Sequence, residues 1–246
     1  MVANFRPDSY YTESYFNGGQ TDGYSDYQGS VNVLLREFRK VVEELERFVP
    51  VGGHILEIGC AYGFFLKAAR SKFKVTGIEI AHSAVQSCRH DGLDVYRGVV
   101  SAPLLANIGQ VDAVILLDVI EHLPDPEHDL LLLVRALKPG GIVVISTGDF
   151  SSVLARRTGP KWRLMTPPQH LWYFTPGSIA IMARRLGLET ISVSHPGKIV
   201  PLGLILAQLA RMLRVRLKSS LIAPYSSIGI PVNLFDAMRA IFVKPQ

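Results

Sequence analysis

An acidic residue lies in or at the end of each of two apolar segments: Glu57 in the first and Glu79 in the second. A turn with Gly59 and Gly63 follows the first segment and leads into a helix-forming run. Backbone N–H groups at a helix start attract a carboxylate, and glycine lets a ligand approach the chain closely. A carboxylate at the end of the second segment can accept both hydrogen bonds from a ribose diol. The pattern indicates a site for a ligand that carries a ribose.

The spacing within the glycine turn argues against a dinucleotide. A dinucleotide fingerprint uses three glycines so that the backbone can touch a pyrophosphate. Here Ala61 stands where the second glycine is expected, and Tyr62 adds bulk beside it. A pyrophosphate therefore fits poorly, and the layout suits a ligand with a ribose, a positive charge and no pyrophosphate.

Apolar strands and helical segments alternate along the chain, and this rhythm predicts βαβ units and a parallel sheet. The predicted strands cover 54–58, 74–80, 94–98, 111–118, 142–147, 188–195 and 240–244. The predicted helices cover 31–49, 65–73, 82–92, 126–137, 175–187 and 199–222. Right-handed crossovers place the loops at the carboxyl ends of the strands along one edge, where ligands bind.

Four sequence motifs in order resemble the class I S-adenosylmethionine-dependent methyltransferases, in particular a broad bacterial small-molecule group. They are LEIGCAYGFF, GIEIA, LLDVIEHLPDP and LKPGGIVVIST, and the ending FVKP is a further match. The resemblance covers roughly residues 31–195. It implies an α/β, Rossmann-like fold. Its seven-stranded, mostly parallel sheet has the order 3-2-1-4-5-7-6, with the last strand antiparallel and helices on both faces.

The resemblance also implies S-adenosyl-L-methionine as cofactor and a set of residues around it. Glu57 and the turn would line the methionine part, Glu79 would hold the ribose, and Asp118 would lie near the amino acid end. The full set is Glu57, Gly59, Cys60, Ala61, Gly63, Glu79, Ile80, Asp118 and Val119. In two places the chain departs from the family pattern. Ala61 replaces a usual glycine, and the loop GVVSAPL lacks the acidic residue that many relatives use on the adenine amino group.

Methyl transfer from a sulfonium is an in-line displacement in which alignment supplies most of the gain. A base helps when the acceptor is a hydroxyl or an acidic carbon. Two histidines are candidates for that role: His122 in DVIEHLPDP and His170 in TPPQHLWYF. Each also has a structural interpretation, His122 as a turn contact and His170 as a neighbour of Trp172. An amine acceptor needs neither.

Aromatic and basic side chains cluster after the fifth predicted strand, and we expect them to line the acceptor pocket. The alternative is a small satellite core under a long loop. The predicted substrate-binding residues are Tyr15, Arg157, Trp162, Trp172 and Tyr173.

The composition of the 246 residues, 48% apolar and 19% charged, is that of a globular protein. Cys60 and Cys88, the two cysteines, have no zinc-site spacing, so we predict no metal. No signal-peptide pattern precedes the first helix, and the apolar run 199–213 is too short for a clean membrane span. We expect a cytoplasmic protein. Residues 1–30 would form a lid or tail, and 31–246 a single methyltransferase domain with insertions at about 150–175 and 197–235.

The charge is unevenly divided along the chain. Residues 1–150 contain 13 Lys or Arg and 19 Asp or Glu, whereas 151–246 contain 13 and two. Such a split points to an anionic partner for the second part, although a solvated basic surface has the same composition. The leading hypothesis is methyl transfer to a small anionic acceptor, such as a nucleotide-linked sugar or an envelope or secondary-metabolite precursor.

Three other hypotheses remain open. The first is a lipid or quinone methyltransferase that contacts the membrane surface through 199–222. A nucleic-acid methyltransferase is less favoured because we find no recognisable RNA module and the arginines are scattered, so no nucleic-acid partner is expected. The last is a cofactor-binding protein without catalysis.

Overall fold

The computed structural model describes residues 30–212, 215 and 219–246. The predicted lid and Tyr15 lie outside the described residues, as do 213–214 and 216–218 within the predicted helix 199–222. The side chains of 211, 212, 219, 220 and 223 are not described either.

The predicted helices and strands appear in the predicted order, and the structure adds helices at Ala102–Ile108 and Val153–Thr158 that the sequence pattern did not predict. The helices are α1 (Val31–Leu45), α2 (Phe64–Ala69), α3 (His82–His90), α4 (Ala102–Ile108), α5 (Pro126–Ala136), α6 (Val153–Thr158), α7 (Pro176–Arg185), α8 (Leu202–Met212) and α9 (Ser219–Ile222). The strands are β1 (His54–Ile58), β2 (Lys74–Glu79), β3 (Asp94–Arg97), β4 (Val111–Leu117), β5 (Leu137–Gly148), β6 (Glu189–Ser194), β7 (Lys198–Pro201), β8 (Gly229–Val232) and β9 (Ala237–Val243). Short 3-10 turns cover Ile120–His122, Gly159–Lys161 and Ala223–Tyr225.

Seven strands form one sheet in the order β3-β2-β1-β4-β5-β9-β6. The pairs from β3 to β5 are parallel, and β9 runs antiparallel to both β5 and β6. Counting β9 as the seventh strand, this order is the predicted 3-2-1-4-5-7-6 with an antiparallel last strand, so the fold prediction is confirmed.

The sheet is buried on both faces, which explains why its central strands are almost continuously apolar. Successive residues of β4 lie in two different core clusters, for example Val114 in one and Ile115 in the other. The first cluster includes residues of α4, α5 and α7, and the second residues of α1, α2 and α3. Helices therefore cover both faces, as predicted.

The insertion between β6 and β9 differs from its prediction. The sequence predicts a helix from 199, but Lys198–Pro201 form β7, which pairs antiparallel with β8 in a separate two-stranded sheet. The β-branched Ile199 and Val200 favour an extended chain, and the residue before a proline is pushed out of the helical region. The helix begins only at Leu202. No helix in the described part of the chain is both long and apolar enough to cross a bilayer.

Candidate functional site: the carboxyl edge of the sheet

The glycine turn after β1 and the acid at the end of β2 are in direct contact. Glu79 Oε2 accepts a hydrogen bond from the Ala61 N–H at 2.8 Å, and its Oε1 accepts one from the Ala81 N–H at 2.8 Å. The turn is left-handed, with φ of 68° at Gly59, 46° at Ala61 and 68° at Gly63. Ala61 thus adopts a glycine-like conformation although it is not glycine, which costs on the order of 1 kcal/mol.

The turn is packed too closely for larger side chains. A Cβ on Gly59 would lie 2.7 Å from a methyl carbon of Val119, and one on Gly63 would lie 2.5 Å from Leu93. The predicted cofactor residue Val119, which follows β4, therefore packs directly on the turn that follows β1. Ile80 lies immediately after Glu79, at the same edge of the sheet.

Two buried carboxyl groups lie behind this turn. Glu57 and Glu79 are 4% and 5% exposed. Desolvation raises the pKa of Glu57 well above its ordinary range, and Cys88 and Glu79 raise it further. Desolvation also raises the pKa of Glu79, although hydrogen bonds from Ala81 and Ala61 oppose the rise.

Glu57 Oε2 has no hydrogen-bond partner among the described residues. A buried carboxyl oxygen without a partner is costly, and a cationic or hydroxyl-bearing ligand compensates that cost. S-adenosylmethionine carries both kinds of group, so the acids and turn present here fit it.

Asp118 follows β4 in a left-handed conformation, with φ of 55°. Its carboxylate accepts hydrogen bonds from Lys198 Nζ at 2.7 and 3.0 Å and from Ser146 Oγ at 3.0 Å. Desolvation works against the charge of Asp118, but Lys198 and Ser146 outweigh it and lower the pKa to about 2. Lys198 belongs to β7, so the insertion reaches the end of the central strand.

The two histidines proposed as alternative bases lie against each other. The rings of His122 and His170 are 4.7 Å apart between centroids, in an edge-to-face arrangement. His122 Nδ1 lies 2.9 Å from Gln169 O, and His170 Nδ1 lies 2.7 Å from Leu164 O. Burial lowers the pKa of both rings and so favours their neutral forms.

Glu121 joins the two histidines. One donor atom of each of the three side chains lies within 4.8 Å of the others. Desolvation and then Asp118 raise the pKa of Glu121 to about 7, although His170 opposes the rise. Imidazole and carboxylate donors suit first-row transition metals, and among the described residues this is the group that could hold such an ion. The sequence treats His122 and His170 as alternative bases, whereas the structure places both in one group with Glu121.

The predicted aromatic wall is only partly assembled. Trp162 and Tyr173 lie 6.5 Å apart and both contact Phe150, while Tyr173 lies 6.4 Å from His170. Trp162 is 3% exposed and packs over Gly148 at the end of β5, so it acts as a structural layer beneath the site. Its indole N–H donates to Asp236 Oδ2 at 2.9 Å.

Two predicted substrate residues lie apart from this layer. Trp172 is 42% exposed and donates its indole N–H to Leu123 O at 2.9 Å. Arg157 is exposed on α6. Among the described residues, neither has a ring contact or hydrogen bond with the aromatic layer, and their roles stay predictions.

Three charged residues at the site were not singled out from the sequence. Lys198 pairs with Asp118, Asp149 pairs with His195 at 2.8 Å, and Asp236 accepts two hydrogen bonds from Arg163 at 2.9 and 2.8 Å. The sequence could have indicated Asp149, because this acid directly follows the fifth strand at the edge of the sheet where ligands bind.

Comparison with known proteins agrees with this geometry. A family described as "Methyltransferase domain" matches residues 33–193. The chain is 32% identical over 152 residues to a ubiquinone biosynthesis O-methyltransferase from Thiobacillus denitrificans, covering 56% of this chain and 66% of that protein. It is 29% identical over 189 residues to the Methylococcus capsulatus protein of the same name, covering 72% and 78%. A Bordetella avium relative is 32% identical, with 63% of its length covered, so the chain spans just under two thirds of several curated relatives.

Solved structures share the fold at low identity. A possible histamine N-methyltransferase from Thermotoga maritima has a TM-score of 0.56 at 18% identity, with 88% of this chain and 91% of that one covered. A magnesium protoporphyrin IX methyltransferase from Synechocystis, solved with S-adenosylhomocysteine, has a TM-score of 0.54 at 12% identity, with 87% and 85% covered.

Fold and site together define a class I S-adenosylmethionine-dependent methyltransferase. The chain belongs to the methyltransferase-domain family. The predictions of family, enzyme class and cofactor are confirmed at this level.

Proposed function

We propose that this chain methylates a hydroxyl group on a small, anionic, ring-bearing acceptor of the quinone-precursor type. The observation that carries the cofactor half of this proposal is the bond between Glu79 and the Ala61 N–H inside the glycine turn. The names of the curated relatives support the acceptor, and they favour the quinone alternative over a nucleotide-linked sugar.

The cofactor residues would divide the ligand between them. Glu79 accepts from the ribose hydroxyls, since each of its oxygens has a second lone pair beyond the backbone bond it already receives. Asp118 offers a carboxylate to the cationic methionine end, and the buried carboxyl group of Glu57 offers a hydrogen-bond acceptor there. The bound cofactor supplies the activated methyl group, and the turn and Val119 hold it in line with the acceptor.

Positive side chains favour an anionic acceptor beside Asp118. Lys198 contacts Asp118 directly, and Arg163 is close enough to lower the pKa of the same carboxyl group. When the cofactor's ammonium approaches Asp118, Lys198 becomes available to an acceptor anion. Phe150 and Tyr173, which pack against each other and are not fully buried, give this side of the site apolar surface for a ring.

Calorimetry with S-adenosylhomocysteine tests the cofactor half. Wild type should bind, and Glu79→Ala should lose about 30-fold or more in affinity, because hydrogen bonds to a charged group contribute roughly 1.5–3 kcal/mol. The matched control is Glu43→Ala, a substitution on the exposed face of α1. Tighter binding of NAD than of S-adenosylhomocysteine would contradict the proposal.

An acceptor screen tests the other half. Transfer of labelled methyl groups should be faster to 3,4-dihydroxybenzoate than to UDP-glucose or to histamine. Preferred labelling of the sugar nucleotide would restore the alternative acceptor class, and labelling of histamine would replace O-methylation by N-methylation.

We also propose that the insertion contacts an anionic membrane surface, which suits a quinone-type acceptor. Seven large apolar side chains of its described residues are exposed: Leu209, Val215, Leu221, Tyr225, Ile228, Leu234 and Phe235. Four basic residues lie in the same stretch, within 211–218. Apolar side chains with neighbouring arginines are typical of surfaces that lie in the lipid interface.

Flotation with phosphatidylglycerol vesicles at low salt tests this contact. The wild-type protein should float, and Leu221→Asp should not. Val51→Asp is the control, because Val51 is equally apolar and 79% exposed but lies outside the insertion. If the wild-type protein stays at the bottom of the gradient, the proposed membrane contact is contradicted.

A further inference from the structure

A buried carboxylate and a histidine form a pair at the carboxyl edge of the sheet that the cofactor site does not use. Asp149 directly follows β5 and is 4% exposed. Its Oδ1 accepts hydrogen bonds from the Ser151 N–H at 2.8 Å and the Ser151 hydroxyl at 2.6 Å, and its Oδ2 lies 2.8 Å from His195 Nε2. The carboxylate is thus fixed on both sides, so its direction toward His195 is set by the fold.

This contact determines where His195 carries its proton. An ionised carboxylate only accepts hydrogen bonds, so the hydrogen is on Nε2 and the lone pair of the neutral ring is on Nδ1. The side chain is 28% exposed, which leaves it accessible to a small molecule. Asn233 Nδ2 donates to the His195 carbonyl at 3.0 Å and fixes the backbone of the loop.

The pair lies at the edge of the sheet where the methyl donor is expected. β6 runs parallel to β5, since both are antiparallel to β9, and His195 comes directly after β6. Three residues further on, Lys198 contacts Asp118, and Asp149 comes three residues after Ser146, which donates to the same Asp118. Three residues span at most about 10 Å, so both members of the pair are tied to the end of β4 by short segments.

The other two histidines at this edge are differently arranged. His122 and His170 pack on each other and on Glu121, and each has its Nδ1 directed at a backbone carbonyl within the aromatic loop. His195 instead has a buried carboxylate behind Nε2. That is the arrangement of base and orienting acid that activates hydroxyl nucleophiles in other enzymes.

We propose that His195 is the general base that deprotonates the acceptor hydroxyl and that Asp149 is its positioning residue. This inference rests on the proposed O-methyl transfer. His195 Nδ1 takes the hydroxyl proton while the acceptor oxygen forms a bond to the methyl carbon. The bond between that carbon and the sulfonium sulfur breaks, and its electron pair stays on sulfur as neutral S-adenosylhomocysteine. The proton remains on the imidazolium beside Asp149 and then passes to water.

Kinetics with 3,4-dihydroxybenzoate as acceptor test the base. His195→Ala and His195→Gln should each lower kcat by about 10²–10⁴-fold, and added imidazole should restore part of the rate of His195→Ala. His128→Ala, which removes an exposed histidine on α5, should retain wild-type kcat. An unchanged kcat in His195→Ala would overturn the inference.

A second measurement does not depend on turnover. The ¹⁵N spectrum of the histidine side chains, with His195 assigned by its loss in His195→Gln, should show the Nε2–H tautomer. Adding 3,4-dihydroxybenzoate to protein saturated with S-adenosylhomocysteine should shift the Nδ1 signal. An Nδ1–H tautomer, or a signal that the probe leaves in place, would overturn the role of His195. Failure to bind S-adenosylhomocysteine would instead contradict the proposed function.

Asp149→Asn tests the positioning role. The amide can donate to Nε2, so the population of the Nε2–H tautomer should fall and kcat should drop by about 10-fold or more. Ser151→Ala removes the hydroxyl contact to Asp149 Oδ1 but keeps the backbone N–H contact and the carboxylate itself, so its tautomer signal should stay that of wild type. If Asp149 were purely structural, Asp149→Asn would have a lower melting temperature but a wild-type kcat when assayed below that temperature.

Discussion

The proposed cofactor side and the proposed acceptor side of this site are built in different ways. The cofactor side consists of the turn after β1 and the acid after β2, which are joined by backbone hydrogen bonds to Glu79 and covered by close packing. The acceptor side is joined by charged side chains from distant parts of the chain, such as Lys198 with Asp118 and Asp236 with Arg163. A backbone-built site tolerates little change in shape, whereas a site built from side chains can change its specificity one residue at a time.

The largest effect on the acceptor side is expected at Asp236. Its carboxylate is 1% exposed and receives hydrogen bonds from Trp162 and Arg163. Removal of one partner of a buried pair typically costs about 3–5 kcal/mol, so Asp236→Ala should lower the free energy of unfolding by about 3 kcal/mol in urea. Glu189→Ala, at an exposed acid in the same half, is the control.

The same Asp236 variant sharpens the comparison between the two sides. The affinity for S-adenosylhomocysteine should change less than about threefold, because Asp236 makes no contact with the glycine turn, while the KM for 3,4-dihydroxybenzoate should rise. Equal losses on both sides would show that the two halves are one cooperative unit.

Gly63→Ala should disrupt the packing of the glycine turn on the cofactor side. An alanine at position 63 would have to adopt a φ of +68°, and its Cβ would lie 2.5 Å from Leu93. Backbone strain and overpacking together should lower the free energy of unfolding by about 2–4 kcal/mol. Gly92→Ala has almost the same φ, +71°, with no atom within 4 Å of the new Cβ, and should cost only about 1 kcal/mol. Urea unfolding measures the loss of stability in each variant, and the difference between the two losses gives the contribution of the close packing at the turn.

Glu121→Gln tests the buried acid between the two sides by its pH dependence. The pKa of Glu121 is raised to about 7 in the fold, so the native state holds a proton that the unfolded chain releases near pH 4.5. The stability from this protonated group is fully present below about pH 4.5 and is lost as the pH rises through about 7. The melting temperature of Glu121→Gln relative to wild type should therefore increase between pH 5 and pH 8. A constant difference would contradict the raised pKa.

The smallest effect is expected at Lys198, which lies in a partly exposed ion pair. Lys198→Met should change stability by less than about 1 kcal/mol, as is usual for such pairs. The pKa of Asp118, lowered to about 2 by Lys198 after desolvation is overcome, should rise toward its ordinary value. A ¹³C titration of the Asp118 carboxyl group measures this rise, and Lys138→Met, at another partly exposed pair, with Asp112, is the control.

The placement of the proposed cofactor residues could be predicted from the sequence because these residues lie in continuous segments. Apolar runs and glycine spacing place Glu57, the turn and Glu79 at the ends of neighbouring strands, and the structure agrees. The acceptor side could not be predicted in the same way. His195 and Asp149 are 46 residues apart, and Lys198 and Asp118 are 80 apart. A single sequence shows which residues carry charge but not which charges meet, and it likewise did not show that His122 and His170 pack together.

The position of β9 has a consequence for how the protein is assembled during synthesis. Among the described strands, β6 pairs only with β9, and β9 leaves the ribosome after the other strands of this sheet. Until then the edge of β5 is open and Phe242 is missing from the core. Asp236 directly precedes β9, so the hydrogen bonds that it accepts from Trp162 and Arg163 also form only after this segment has been made. We therefore expect the part that holds the methyl donor to become ordered on the nascent chain before the part that selects the substrate.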